Sequence, residues 1–275
     1  IKVQKGFNFE HFNSTWGLNF AGDGKLLTLQ GKPFCWGGEQ GCISLLQLND
    51  RIASSTGAVW YNTKQRVSHG FETTFSFQIT EVSRHCKSTV VLADRCMYRG
   101  GDGLAFVLHD NGYPFALGST GGSIGYSGID NSLAVEFDTW YNADLGDVYQ
   151  NHVAVHTGGR APNSASMRNR IATTNEVPNL DDGNIHTVRI RYEPKWDYKA
   201  VGEEGYTVSA YGLEWIQQGS GVLKVWVDDL DRPALITPIN MQRVLELEGG
   251  VAWVGFTAST GEALQLHTIH SWSFV

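Results

Sequence analysis

Two acidic residues on an apolar stretch are the first chemical signal in this sequence. Apolar and polar residues alternate in 133–140, so Glu136, Asp138 and Trp140 share one face of a predicted strand, while Val135 and Phe137 share the other. Carboxylates on such a strand repel each other and lose hydration, and a bound divalent cation offsets both costs. The pattern therefore predicts a cation site at this strand.

The loop that follows supplies further metal ligands. It contains Asn142, Asp144 and Asp147, and His152 then begins a second apolar strand. Carboxylate and amide oxygens suit Ca²⁺, whereas mixed carboxylate and imidazole ligands suit a transition ion such as Mn²⁺ or Zn²⁺. One segment thus offers ligands for two kinds of metal site. The alternative interpretation is an acidic hairpin with a core histidine.

The segment resembles the metal-binding segment of the legume-type (L-type) lectins, the family of concanavalin A. The ligands that this resemblance implies at a transition ion, Mn²⁺ or another, are Glu136, Asp138, Asp147 and His152. The oxygen ligands implied at an adjacent Ca²⁺ are Asp138, the Trp140 carbonyl, Asn142 and Asp147. Asp144 falls outside the family pattern and is interpreted as a solvated loop charge.

Three further segments resemble the sugar-binding segments of the same family and occur in the family's order, at 100–108, 119–126 and 254–274. The resemblance implies that Asp102 accepts hydrogen bonds from two sugar hydroxyls, a role that suits an acceptor-only carboxylate. It also implies a cis peptide bond between Gly101 and Asp102. Gly122 is implied to donate its backbone N–H to a sugar hydroxyl, because a missing side chain permits close approach.

The rest of the implied sugar site comes from two places. Asn142 would donate its amide to the sugar, and Trp140 would present its aromatic face to the apolar side of a pyranose. The residues after Gly261 form the variable wall of the family's pocket, which makes Glu262 and Ala263 candidates through their backbone N–H groups. Glycans or glycoproteins are the implied partners, with mannose or glucose favoured over galactose. Dimerisation is common in the family, but this sequence does not show it.

Short strands separated by turn residues recur along the chain, and period-two alternation is clear in 71–79 and 188–192. Helical periodicity is confined to a possible turn at 242–247. This organisation predicts an all-β protein, a jelly-roll sandwich of two antiparallel sheets, and the resemblance specifies a concanavalin A-like fold with paired terminal strands. We expect one domain over 1–275 with an aromatic-rich insertion at about 194–219, interpreted as a self-packed excursion or an added interaction surface.

Composition limits the partners and the compartment. The net charge of −7 argues against a nucleic-acid or anionic-membrane surface, and no apolar stretch approaches the roughly 20 residues of a membrane span. The cysteines form two local pairs, Cys35/Cys42 and Cys86/Cys96. Disulfides are favoured over a Cys₄ zinc site, because neither pair has the close spacing of zinc knuckles. We therefore expect a secreted or otherwise extracytoplasmic protein.

The strongest rival function is glycoside hydrolysis on a similar sandwich. One group of glucanases carries Glu-x-Asp-x-x-Glu on a strand, with the two glutamates as catalytic residues. Glu136 and Asp138 could open that motif, but Tyr141 occupies the place of the second glutamate. A non-enzymatic lectin is therefore the preferred interpretation. The glycan-binding domain of a larger adhesin or receptor is a further alternative with the same chemistry. His109 and His156, at strand ends, are interpreted as surface or packing residues.

Overall fold

The computed structural model describes residues 6–27, 34–35, 42–89, 92–195 and 221–275. The strands within these ranges are β1 (Phe7–Phe9), β2 (Leu18–Gly22), β3 (Lys25–Leu27), β4 (Phe34–Cys35), β5 (Cys42–Ile43), β6 (Leu45–Gln47), β7 (Thr56–Tyr61), β8 (Gln65–Arg66), β9 (Phe71–Thr80), β10 (Arg84–Thr89), β11 (Leu92–Tyr98), β12 (Gly103–His109), β13 (Ser132–Asp138), β14 (His152–Thr157), β15 (Arg170–Thr174), β16 (Ile185–Glu193), β17 (Gly221–Val227), β18 (Leu235–Ile239), β19 (Val251–Ser259) and β20 (Leu266–Phe274). One α-helix, α1 (Met241–Leu245), and 3₁₀ turns at Gly121–Ser123, Met167–Asn169 and Glu248–Gly250 complete the described elements.

Two eight-stranded antiparallel sheets dominate the described part of the chain. The first sheet has the order β18-β17-β16-β9-β20-β6-β3, with β1 paired to β20. The second sheet has the order β15-β14-β13-β12-β19-β7-β2, with β8 paired to β19. Each sheet joins a run of consecutive strands, β16 to β18 in the first and β12 to β15 in the second, to neighbours that are distant in sequence, such as β9 with β20 and β12 with β19, as in a jelly roll. The predicted all-β sandwich is confirmed, and so is the pairing of the terminal strands, with Phe7 opposite Phe274 and Phe9 opposite Trp272.

The main core lies between the inner faces of the two sheets. Strand β9 reads Phe71-Glu-Thr-Thr-Phe75-Ser-Phe77-Gln-Ile79, and its odd-numbered residues are buried while the even-numbered ones are half-buried. The Phe75 ring lies 4.8 Å from that of Phe256 and 5.9 Å from that of Phe137, so it joins the first sheet to β19 and β13 of the second. Period-two alternation therefore positions the inner face of each sheet.

A second apolar cluster covers the opposite face of the second sheet. Residues 113–131 fold over this face, and the Trp60 indole N–H donates to the Ala116 carbonyl at 2.8 Å. Ala105, Val107 and Tyr126 are among the buried residues of this cluster. The cluster matters for function because Glu136 and Asp138 project from the same face of β13, next to it.

Several strand boundaries differ from the predictions. The strand predicted to reach Trp140 ends at Asp138, where the Asp138 carboxylate accepts the Trp140 backbone N–H at 2.6 Å and ends the ladder. The possible turn near 242 is the helix α1. The insertion predicted at 194–219 lies outside the described residues, apart from 194–195.

The two cysteine pairs lie in separate two-stranded ladders. Cys35 is the cross-strand partner of Cys42 in the β4–β5 ladder, and Cys86 is the partner of Cys96 in the β10–β11 ladder. Each backbone register therefore puts the two members of a pair directly opposite each other, at the Cα separation that cross-strand partners have. The disulfides stay a prediction.

Candidate functional site

The acidic cluster is built on the hairpin of β13 and β14. Asp138 pairs with His152 and Glu136 pairs with Ala154 in the antiparallel register. Because side chains alternate along a strand, Val135 and Phe137 enter the main core. Glu136 and Asp138 point the other way, yet they are only 1% and 3% exposed.

One ligand atom from each of three residues, Glu136, Asp138 and His152, lies within 4.8 Å of the other two. The following loop brings Asp147 alongside, because the Asp147 carboxylate accepts the Asn142 backbone N–H at 2.6 Å. The Asp147 carboxylate is close enough to Asp138 to act on its pKa. The structure thus brings three of the four implied ligands of the transition ion together and places the fourth, Asp147, in the adjoining loop. Asp144 is exposed, as expected for a solvated charge.

Electrostatics in this cluster match the chemistry of a cation site. Burial raises the pKa of Asp138 well above its ordinary value, and the nearby charges of Glu136 and Asp147 raise it further. Burial likewise raises the pKa of Asp147, against a hydrogen bond from the Asn142 backbone. Crowded carboxylates in a poorly solvated site bind a proton or a metal ion to relieve their repulsion. The donor set of oxygens with one imidazole fits Ca²⁺ together with a transition ion.

Two residues that the sequence analysis did not place in the site hold Glu136. The Tyr126 hydroxyl donates to Oε2 of Glu136 at 2.6 Å, and Nε2 of His156 lies 2.9 Å from Oε1. Burial raises the pKa of Glu136, but the charges and hydrogen bonds of His156 and His152 outweigh it and hold the pKa below its ordinary value.

His156 is therefore more than the packing residue expected from its position at a strand end. Alternation alone predicts the contact, since 152, 154 and 156 share the face of β14 that lies beside Glu136. Tyr126 carried no such signal, because its position depends on how the covering loop folds.

Asp102 stands at the start of β12, and the peptide bond between Gly101 and Asp102 is cis, as the resemblance implies. Its backbone is fixed on both sides: its N–H donates to the Ser259 carbonyl at 3.0 Å, and its carbonyl accepts the Thr139 N–H at 3.0 Å. Burial raises the pKa of Asp102 to about 7, against the lowering effect of a hydrogen bond from the Gly261 backbone. The carboxylate is thus rigid and poorly solvated.

Glycines surround the polar groups of the candidate sugar site. A Cβ atom on Gly122 would lie 2.6 Å from Oδ1 of Asn142, and one on Gly261 would lie 3.0 Å from Oδ2 of Asp102. The two glycine segments adjoin, since the Gly121 backbone N–H donates to the Thr260 carbonyl at 3.2 Å.

Oδ2 of Asp102 and Oδ1 of Asn142 are both buried, and neither has a hydrogen-bond partner among the described residues. Buried polar atoms of this kind are normally satisfied, so each oxygen is free to meet a ligand or a cation. The residues present therefore fit both the sugar and the metal ions that the resemblance implies.

The remaining candidates lie at the edge of this group. A Cβ atom on Gly101 would lie 3.2 Å from Cβ of Trp140, so the half-buried Trp140 packs directly beside the cis bond. Glu262 is exposed, and Ala263 is buried with 4% of its surface accessible. Both residues directly follow Gly261 in the chain, and Gly261 itself lies against Asp102.

The fold and this arrangement define a lectin-type carbohydrate-binding module. The profile of the legume lectin beta-barrel domain matches residues 10–272, which is nearly the whole chain. The chain therefore belongs to the legume-type lectin family.

Relatives of this chain include plant lectins and lectin-like proteins. A lectin-like protein from Arabidopsis thaliana is 26% identical, with 98% of this chain and 89% of the relative covered. A lectin from Lablab purpureus is 27% identical, with 81% of this chain and 78% of that protein covered. The L-type lectin-domain containing receptor kinase VIII.1 of Arabidopsis thaliana is 28% identical over 80% of this chain, which spans about a quarter (26%) of the kinase.

Solved structures show the same fold. The metal-free form of lectin I-B4 from Griffonia simplicifolia matches with a TM-score of 0.63 and 21% identity, covering 99% of both chains. The exoplasmic/lumenal domain of VIP36, bound to Ca²⁺ and Man3GlcNAc, matches with a TM-score of 0.59 and 13% identity over 99% of this chain and 90% of that one. Within the described residues, no helix has the length and apolar character needed to cross a membrane.

Proposed function

We propose that this chain is a lectin that binds a glycan reversibly and performs no covalent chemistry on it. The observation that carries the proposal is the pair of buried, unpartnered oxygens, Oδ2 of Asp102 and Oδ1 of Asn142, beside adjoining glycines. A sugar presents hydroxyl groups that both donate and accept hydrogen bonds, and the absence of a side chain at Gly122 and Gly261 lets the Asn142 amide and the Asp102 carboxylate lie directly against these backbone segments.

The proposed monosaccharide site consists of Asp102, Gly122, Trp140, Asn142, Glu262 and Ala263. Asp102 accepts from two hydroxyls, the Asn142 amide and the Gly122 backbone N–H donate, and Trp140 covers the apolar side of the ring. Glu262 and Ala263 form the wall through their backbone N–H groups. Mannose or glucose is the first choice of sugar and galactose the second.

Two adjacent cation sites support this pocket in the proposal. Ca²⁺ is held by Asp138, the Trp140 carbonyl, Asn142 and Asp147, and a transition ion such as Mn²⁺ by Glu136, Asp138, Asp147 and His152. The ions supply positive charge that fixes the acidic loop. With the loop fixed, Asn142 and Trp140 are held ready, and sugar binding costs little ordering entropy.

The cellular setting is inferred from the cysteines. The two cysteine pairs opposite each other suggest disulfides and hence a secreted or extracytoplasmic domain. Residues 1–275 are proposed as one lectin domain, able to act alone or, as in the receptor kinase it resembles, as part of a longer chain. A homodimer is a further proposal that the family suggests.

The test is a glycan array probed with and without the chelator EDTA, followed by the variants Asp102→Ala and Asn142→Ala. We expect binding to disappear with the chelator and in either variant, while circular dichroism shows an unchanged β-sheet spectrum. Persistent glycan binding by either folded variant would reject the site, and persistent binding in EDTA would reject the role of the ions.

A further inference from the structure

A small cavity lies beside the proposed sugar site and has a different chemistry. Its volume is about 120 Å³, and it is lined by Arg99, Trp140, Tyr141 and Gln150. Trp140 is shared with the proposed monosaccharide site, so the two spaces adjoin. Tyr141 is 49% exposed, so its ring is accessible to a ligand in this cavity.

Arg99 gives the cavity its charge. The Cζ atom of its guanidinium lies 5.3 Å from the centroid of the Trp140 ring, in cation–π contact. No ion pair joins Arg99 to a carboxylate among the residues whose side chains are described. A guanidinium stacked on an aromatic face keeps its N–H groups directed outward at its edge, where they can bind an anion in bidentate fashion.

The backbone holds Arg99 at this place. Its N–H donates to the Ser83 carbonyl at 2.9 Å, and the Ser83 hydroxyl accepts the Leu264 N–H at 3.0 Å. Arg99 is thereby tied to the segment that follows Ala263, the proposed wall of the sugar pocket. Only two residues lie between it and Asp102 in sequence, which limits the distance between their Cα atoms to about 11 Å.

We propose that this cavity is a second subsite, resting on the proposed function, that binds a carboxylate-bearing sugar residue linked to the sugar held by Asp102. Arg99 pairs with the carboxylate, Tyr141 contacts the ring, and the Gln150 amide can donate to or accept from its hydroxyls. The chain has a net charge of −7 and an acidic metal cluster, so it repels anions in general. The positive charge of Arg99 attracts a carboxylate at this cavity.

The experiment compares matched glycans on one array: neutral glycans, the same glycans ending in sialic acid or in a uronic acid, and the methyl esters of both acidic sets. The esters keep the shape of the sugar and remove its charge. At low salt we expect the free acids to bind about fivefold more tightly than their esters, as for a partly exposed ion pair, with the preference shrinking as salt rises. The sialic and uronic arms separate the two sources of the carboxylate.

Variants assign the preference to the residue. Arg99→Gln is expected to bring the ratio of acid to ester binding to about one, and Arg99→Glu to reverse it. Arg232→Gln, an exposed arginine in the turn between β17 and β18, is the matched control and should keep the wild-type ratio.

Three results would overturn the subsite. They are an equal response to acids and esters by the wild-type protein in both arms, a ratio in Arg99→Gln that matches the wild type, and a parallel loss of neutral and acidic binding in that variant. Absence of any binding, neutral glycans included, would instead reject the proposed function and the subsite with it.

Discussion

The substitution Gly122→Ala places a methyl group where the structure leaves no room for one. A Cβ atom at this position would lie 2.6 Å from Oδ1 of Asn142 and 2.7 Å from its Cγ and Nδ2. Ordinary contacts of such an atom begin at 3.4 Å, so the amide, whose nearest atom lies at 2.6 Å, must move by about 0.8 Å. Gly122 does not have a positive φ, so alanine suits its backbone and the displaced amide is the main effect.

The displaced amide can no longer donate to the sugar in the proposed pose. One such hydrogen bond contributes about 1–2 kcal/mol, which corresponds to a loss of about 5- to 30-fold in affinity. The free energy of unfolding should change little, because Asn142 lies in a half-buried loop outside both cores.

Isothermal titration with the glycan that gives the strongest array signal, in Ca²⁺-containing buffer, measures this loss. Ser123→Ala changes the neighbouring residue of the same 3₁₀ turn without adding an atom, and it should bind as the wild type does. An affinity of Gly122→Ala within about twofold of wild type would refute a role for the Asn142 amide. An equal loss in both variants would assign the effect to the turn rather than to the collision.

Three further predictions concern cations, acid and oxidation. Ca²⁺ must displace protons from its proposed ligands Asp138 and Asp147, whose pKa values burial raises. The rise in Tm on adding Ca²⁺ should therefore grow from pH 5.5 to pH 7.5, reaching roughly 5–10 °C at a hundred times the Kd; a rise independent of pH in differential scanning calorimetry would contradict this. Burial lowers the pKa of His109 to about 3, so the folded protein keeps this imidazole neutral. Below the unfolded pKa near 6.5 the unfolded chain binds a proton that the folded protein does not, and the free energy of unfolding falls. In urea unfolding, the free energy of unfolding of His109→Phe relative to that of the wild type should rise by about 2 kcal/mol when the pH is lowered from 7 to 5. An unchanged difference would refute the assignment. Intact-mass measurement of the non-reduced protein should give a mass about 4 Da below the fully reduced chain, since two disulfides lack four hydrogens; equal masses would refute both bridges.

The metal segment was predictable because it is local. Alternation along one strand indicates that Glu136 and Asp138 share a face, and the ligands that follow lie in the adjoining loop and the next strand. The resemblance then supplied what periodicity cannot, including the cis bond before Asp102.

The features that the sequence did not reveal depend on packing between distant segments. Tyr126 reaches Glu136 only because residues 113–131 cover the outer face of the second sheet. Strand β18 gives no clear strand signal in the sequence because Pro238 lies within it, and proline argues against a strand except at a sheet edge, which is where β18 lies. The hydrophobic pattern indicates which face of a strand is buried, but not which loop covers it.

The two halves of the candidate site differ in how the chain must fold to make them. The carboxylates and the imidazole of the acidic hairpin come from one short stretch, from 136 to 152, whereas Asp102 meets Gly261 across more than half of the chain. Closing a short loop costs less entropy than closing a long one, and local contacts form sooner. The proposed ion ligands therefore need only a local hairpin to come together, whereas the proposed saccharide pocket is complete only when the C-terminal segment has docked.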